Sequence, residues 1–321
     1  MVATPAQHLV LDEADWHAQR ATYLERIRPW TEGHRARKAG GEKHPVLDFM
    51  FTYYSFKPAQ LERWHPGPGV TLAGDSALEY LRWPAYTRTA EGVTLDPAAF
   101  PPARRRTAEF VVALLSATAS RPPRLGCFGL HEWAMVYRTS PEQVRHVGWP
   151  LRLGHEGTDR LVENSQVRCS HFDAFRFFTE PARPLNTLQP TREGQLELEQ
   201  PGCLHATMDL FRWGYKLAPH TPSALIADCF ELALAVRELD MRASPYDLAA
   251  LGYPPVRIET GEGRAEYVKM QSAFSRRAEP LRAALVELCR TLLGWPEPPV
   301  GGSPGDDHNK FPQTSAAIHS P

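Results

Sequence analysis

The chain lacks any apolar run of the roughly 18 to 20 residues that a bilayer-crossing helix needs, which excludes a helical membrane span. A basic segment leading into an apolar one is also missing at the N-terminus. Asp12, Glu13 and Asp15 follow Met1–Val10 at once, so the expected location is the cytoplasm. No charge of one sign predominates: 36 Lys and Arg stand against 37 Asp and Glu, unlike the overall basic balance of many nucleic-acid binders. Cysteines are few and odd in number, five, and no two are paired as CxxC. That excludes a zinc ribbon and a disulfide scaffold, and it suits a reducing compartment in which cysteines are core residues, ligands or nucleophiles. With 42% hydrophobic residues the chain can bury a substantial core. We expect a mainly α fold with small β elements (α+β): a single multi-helix globular domain over 1–295, β insertions near 70–95 and 149–168, and a Pro/Gly/Ser-rich disordered tail over 296–321.

What is present is a threefold motif. Gly126-Cys127-Phe128-Gly129-Leu130-His131-Glu132-Trp133, Cys169-Ser170-His171-Phe172-Asp173 and Cys203-Leu204-His205-Ala206-Thr207-Met208-Asp209 each place a histidine two to four residues after a cysteine, and then a carboxylate, in an aromatic-rich run. A polar group buried among apolar helices needs partners, because leaving it unpaired costs several kcal/mol, on the order of 2–7. The repetition points to a buried polar site. Asp173, between Phe172 and Phe175, is the first candidate for a catalytic carboxylate. Glu132 is either a charge suited to a helix N-terminus or a second such candidate. His205 and Asp209 are four apart and share a helix face, so they form a hydrogen-bonded imidazole, a metal-ligand pair or an oriented base.

Elsewhere, Asp12–Ile27 reads as an amphipathic helix and 31–42 as a loop. The aromatic stretch 46–55 is either a core helix or the wall of a pocket. A Pro/Gly turn follows a short helix at 58–64, either as a plain turn or as a weak match to a phosphate-holding hairpin. Trp149–Val167, turning at Gly154-His155-Glu156-Gly157, reads as a β-hairpin. Helices are expected at 104–119, from 204 onward, at 223–239 and at 261–293, the last kinked or restarted at Pro280. Asp228 and Glu231 lie three apart in an apolar helix, like half of a buried di-metal carboxylate site, but the Glu-x-x-His partner that such a site requires is missing. Two basic clusters, Arg26 to Lys38 and Arg104 to Arg106, are either solvated helix surfaces or phosphate-tracking patches.

Phe51-Thr52-Tyr53-Tyr54-Ser55, the stretches from Gly126 to Tyr137 and from Cys169 to Phe178, and Ala243-Ser244-Pro245-Tyr246-Asp247-Leu248 resemble a family of bacterial proteins common in actinobacteria, whose members commonly carry the name 3-methyladenine DNA glycosylase. The resemblance covers about residues 12 to 293. It implies base excision: hydrolysis of the N-glycosidic bond of an alkylated purine in duplex DNA, with DNA as partner and no cofactor. Such chemistry needs the base flipped between aromatic faces while a carboxylate activates water or steadies the sugar cation. On this model Asp173 is the base, Glu132 its reserve and His171 a proton relay, while Tyr54, Trp133, Phe172 and Trp213 stack the base. The alternative is a metal-dependent enzyme that uses His131, His171, His205 and Asp209, with the cysteines as ligands or neighbours, to hold a divalent metal for a small-molecule substrate. A third reading has the histidines as satisfied core groups in a non-enzymatic binding protein.

Overall fold

A computed structural model describes residues 8–140 and 148–297; the part of the expected tail from 298 to 321 lies outside the described residues. In chain order the elements are β1 (Leu9–Leu11), α1 (Glu13–Ala39), α2 (Phe49–Thr52), α3 (Pro58–Leu61), β2 (Val70–Leu72), β3 (Tyr86–Arg88), β4 (Val93–Leu95), α4 (Pro102–Ala119) and α5 (Leu130–Ala134). They are followed by α6 (Gly154–Glu163), α7 (Phe172–Phe175), α8 (Gln195–Leu198), α9 (Leu204–Lys216), α10 (Ser223–Arg242) and α11 (Gly261–Leu293). The fold is mainly helical, with one small sheet in the order β1-β2-β4-β3. β1 runs parallel to β2, while β4 is antiparallel to both β2 and β3.

The core is built where α9, α10, α11 and α4 pack together. Apolar residues occupy most of the circumference of α10: Ile226, Cys229, Phe230, Ala233, Val236 and Leu239 are all buried. A helix apolar nearly all round has to lie inside the molecule. α9 is likewise buried along almost its whole length, and Phe211 meets Phe230 edge-on with ring centroids 5.2 Å apart. α2 is shorter than the aromatic stretch that contains it, but Met50 and Tyr54 are buried and Phe49 stacks on Tyr53 at 4.9 Å, which makes this stretch core.

Four expectations need correction. The expected hairpin over 149–168 is instead helix α6, because Thr158 and Val162, four apart, bury one helical face. Its extended flanks pair elsewhere, Leu151 with Tyr246 and Val167 with Asn186. Gly154, at φ 65°, opens a helix and does not close a two-stranded turn. The expected loop at 31–42 is mostly the continuation of α1 through Pro29. Polar anchors outweigh its composition there: His34 Nδ1 meets Asp48 at 2.8 Å, Arg35 forks onto Glu62 and Arg37 onto Asp48. Asp228 and Glu231 are not buried as half of a metal site; they hold Arg26 at the surface. α11 is one helix through Pro280, not a restarted pair.

Close packing makes two fold predictions. Gly263 lies in the first turn of α11, where an added Cβ would sit 1.9 Å from the Arg257 carbonyl oxygen, whereas one at Gly261 would meet open space. Gly263→Ala should lower the unfolding free energy by about 1–3 kcal/mol, as overpacking does, and Gly261→Ala should not, as judged by paired urea melts. His65 and His220 are both buried and neutral. Burial, then neighbouring arginines, push each pKa from 6.5 down to about 3. The depressed folded pKa means that stability is complete above pH 6.5 and declines as pH falls toward 3. Each histidine should cost roughly 1.4 kcal/mol per pH unit below that point, so His220→Leu should flatten the loss measured between pH 7.5 and pH 5.5 by about that amount.

Candidate functional site

Gly129 takes φ 71°, a left-handed conformation open to glycine at little cost, and so turns the chain directly into α5. The next residues, His131 and Glu132, therefore enter the core side by side, and α10 meets both. Arg237 Nη1 donates to Glu132 Oε1 and to Asp240 Oδ2, each at 2.8 Å, while Asp240 Oδ1 lies 2.8 Å from His131 Nε2. All four residues are buried and Asp240 is completely so. The other imidazole nitrogen of His131, Nδ1, faces Cys127 Sγ at 3.5 Å. Burial opposes the charge on His131, but Asp240 outweighs it and raises the imidazole pKa well above its ordinary value. Burial would raise Asp240, yet His131 and Arg237 depress it.

The other two motifs converge on the same point. His205, on α9, meets His131 edge-on at a centroid distance of 4.6 Å and lies stacked against His171 at 5.3 Å. Burial, then His131, hold its pKa well below normal, so it is a neutral imidazole. His171 lies between two carboxylates, Nε2 being 3.4 Å from Glu199 Oε1 and 3.6 Å from Asp209 Oδ2. Neither of its ring nitrogens makes a well-directed hydrogen bond. Burial opposes its charge, and Asp209 with Glu199 nevertheless raises it. Asp209 is fixed from the other side, accepting from the Tyr54 hydroxyl at 3.0 Å and from Arg212 at 3.2 Å.

Beside this cluster opens a cavity of about 570 Å³ lined by Cys127, Cys169 and Cys203 together with His131 and His205. Burial raises the thiol pKa of Cys169 and of Cys203, and each is raised further by neighbouring thiols. The donor atoms of His131, His205 and Asp240 lie within 4.8 Å of one another. Two imidazoles and a carboxylate at that spacing suit a divalent transition metal, and the three thiols border them along the cavity wall.

All three predicted histidines come together, and so do the three motif cysteines. The predicted carboxylates do not join them at the cavity. Asp173 is held in ion pairs with Arg212 and, at 3.1 Å, with Arg176, and Glu132 is held by Arg237. Asp209 turns its oxygens toward Tyr54 and Arg212, so the carboxylate grouped with two of the histidines is Asp240, in place of the expected Asp209. Of the four expected stacking residues none lines the cavity. Trp133 is fully buried and donates to the Ala243 carbonyl at 2.8 Å, Tyr54 is bonded to Asp209, Trp213 packs on Phe110 at 5.5 Å, and Phe172 lies under Arg192 at 5.6 Å. Asp240 escaped the sequence reading although a signal existed. It lies nine residues after Glu231, about 180° round the helix, and so faces away from the Arg26 pairing. Tyr267, which also lines the cavity, carried no motif.

No protein-family model, curated protein or solved structure matches this chain.

Removing Arg237 would leave Glu132 buried and unpaired and Asp240 with His131 as its remaining partner. Arg237→Met should destabilise the protein by about 3–5 kcal/mol in denaturant melts, and Glu132→Gln in the same chain should restore part of the loss. An Arg237→Met protein as stable as the parent would show that this network contributes nothing to folding.

Proposed function

We propose that His131 and His205, grouped with Asp240 and bordered by the thiols of Cys127, Cys169 and Cys203, hold a transition metal, and that the protein is a metal-dependent enzyme acting on a small molecule that enters the adjoining cavity. The observation that carries this reading is convergence: three chain segments bring three thiols and two imidazoles to the wall of one 570 Å³ cavity. The His131–Asp240 contact supports the same reading. A carboxylate on one imidazole nitrogen fixes the ring and directs the other nitrogen toward a metal, and here that nitrogen faces Cys127. The stacked His171 holds the His205 ring from behind. A bound zinc ion would supply a polarised substrate oxygen or a water ionised near neutral pH.

Base excision, implied by the resemblance to the glycosylase-named family, remains the competing proposal. It requires a carboxylate at the reacting sugar, and Asp173 and Glu132 are both engaged by arginines away from the cavity lining.

Elemental analysis of purified, reconstituted protein decides between them. About one equivalent of metal is expected. His131→Ala and His205→Ala should each lose it, and Asp240→Asn should weaken retention by about 10- to 100-fold. Metal-free protein after reconstitution would defeat the proposal. So would chelator-insensitive release of free base from alkylated duplex DNA that disappears in Asp173→Asn.

A further inference from the structure

The cavity carries a second kind of information, in the groups at its rim and in its wall. Arg124 and Arg168 both line it and both are exposed. Many arginines elsewhere in this protein meet carboxylates: Arg26, Arg35, Arg152 and Arg237 all do. Among the described residues these two do not. Arg168 reaches only the Gln166 side-chain oxygen, and the Arg124 guanidinium has no carboxylate within ion-pair distance. No aspartate or glutamate lines the cavity, so two guanidinium charges face it without compensation. Focusing by low-dielectric walls strengthens such a field and selects for anions.

Deeper in the wall is a buried polar atom without a partner. Gln271 is fixed by its amide nitrogen, which donates to the Gly202 carbonyl at 2.6 Å, and this leaves Oε1 unsatisfied. The Tyr267 hydroxyl is fully buried against the Gly129 backbone. Both residues line the cavity. A buried acceptor left open costs free energy unless something else satisfies it. We infer that the cavity binds a small organic anion bearing a hydroxyl or amino group, with its carboxylate or phosphate at Arg124 and Arg168 and its O–H or N–H donor on Gln271 Oε1 beside Tyr267.

This deepens the proposed function by naming a substrate class for the same cavity. The same placement gives the ligand a direction: its anionic end at the exposed arginines and its hydroxyl or amino end at Gln271 in the buried wall. Two arginines at the mouth of an enclosed space suit a single small anion better than the extended phosphate track that duplex DNA presents.

Isothermal titration at low ionic strength tests this, with malate and glycerol 3-phosphate as probes and succinate and propyl phosphate as their hydroxyl-free counterparts. At least one hydroxyl-bearing probe should bind with a dissociation constant of about 1 mM or tighter, a modest affinity for so small a ligand. The hydroxyl-free partner should bind at least about tenfold more weakly, as expected when a buried acceptor is left unmet. Substituting Arg124→Gln and Arg168→Gln together should weaken the preferred probe by about tenfold or more. These side chains are exposed, so the fold should be unaffected. Binding of malate selects the carboxylate arm and binding of glycerol 3-phosphate the phosphate arm. Failure of both probes to bind, equal binding by the doubly substituted protein, or alkylated duplex DNA as the only ligand bound would each overturn the inference. Metal content measured on the same samples separates the two proposals. Full metal without anion binding defeats the substrate class alone, and anion binding without metal defeats the metal centre alone.

Discussion

The structure depends on Arg237, a guanidinium that is almost fully buried and shared by Glu132 and Asp240. A charge so deep in the core is tolerated only when it is paired, and Asp240 is fixed in turn by His131. The consequence reaches the candidate site. Because Arg237 holds one oxygen of Asp240, the other oxygen stays on His131, and the opposite face of that imidazole stays toward Cys127. Phe49 lies across the Arg237 guanidinium at 4.0 Å, so even the aromatic stretch around α2 contributes to this arrangement.

A second network supports the cluster from the other side. Tyr54 and Arg212 hold Asp209, Arg212 also holds Asp173, and Asp173 holds Arg176. Burial would weaken the charge on Arg212, but Asp209 and Asp173 together outweigh it and raise its pKa. The three histidines are packed between these two networks, one centred on Arg237 and one on Arg212. His131 belongs to the first and His171 to the second, while His205 touches both rings and makes no hydrogen bond of its own among the described residues. That distribution separates supporting residues from working ones. The carboxylates position imidazoles, and the groups left facing open space are thiols, one neutral imidazole and one edge of another.

This division explains what the sequence made legible. The helical core was readable because α9 and α10 are apolar over most of their circumference, and burial follows directly from that pattern. The site was readable as a cluster because Cys-His spacing recurred three times in chain segments that otherwise had to be buried. Roles within the cluster were not readable. Asp173 among phenylalanines looked isolated, but its partner Arg212 is thirty-nine residues away, and no local spacing reveals a contact of that range. Asp240 belongs to none of the three Cys-His stretches, and its partner His131 is 109 residues away. The α6 error has a different source. Gly154 and Gly157 suggested a tight turn, and the 3.6-residue burial of Thr158 and Val162 prevailed because the flanking strands found partners outside the segment.

The charge pattern of the cavity then follows from the same two networks. Glu132, Asp173 and Asp209, from the motif segments, are drawn away by Arg237, by Arg212 or by both the Tyr54 hydroxyl and Arg212, while Asp240 is shared between Arg237 and His131. With the carboxylates withdrawn, the cavity retains imidazole, thiol, amide and guanidinium groups and no fixed negative charge. Thiols in such a place resist ionisation while they are alone, as the raised pKa of Cys169 reflects, because burial and the adjacent thiols both penalise a second negative charge. A cation bound beside them would remove that penalty. The buried ion pairs therefore decide the chemistry of the cavity indirectly, by holding the acidic groups elsewhere.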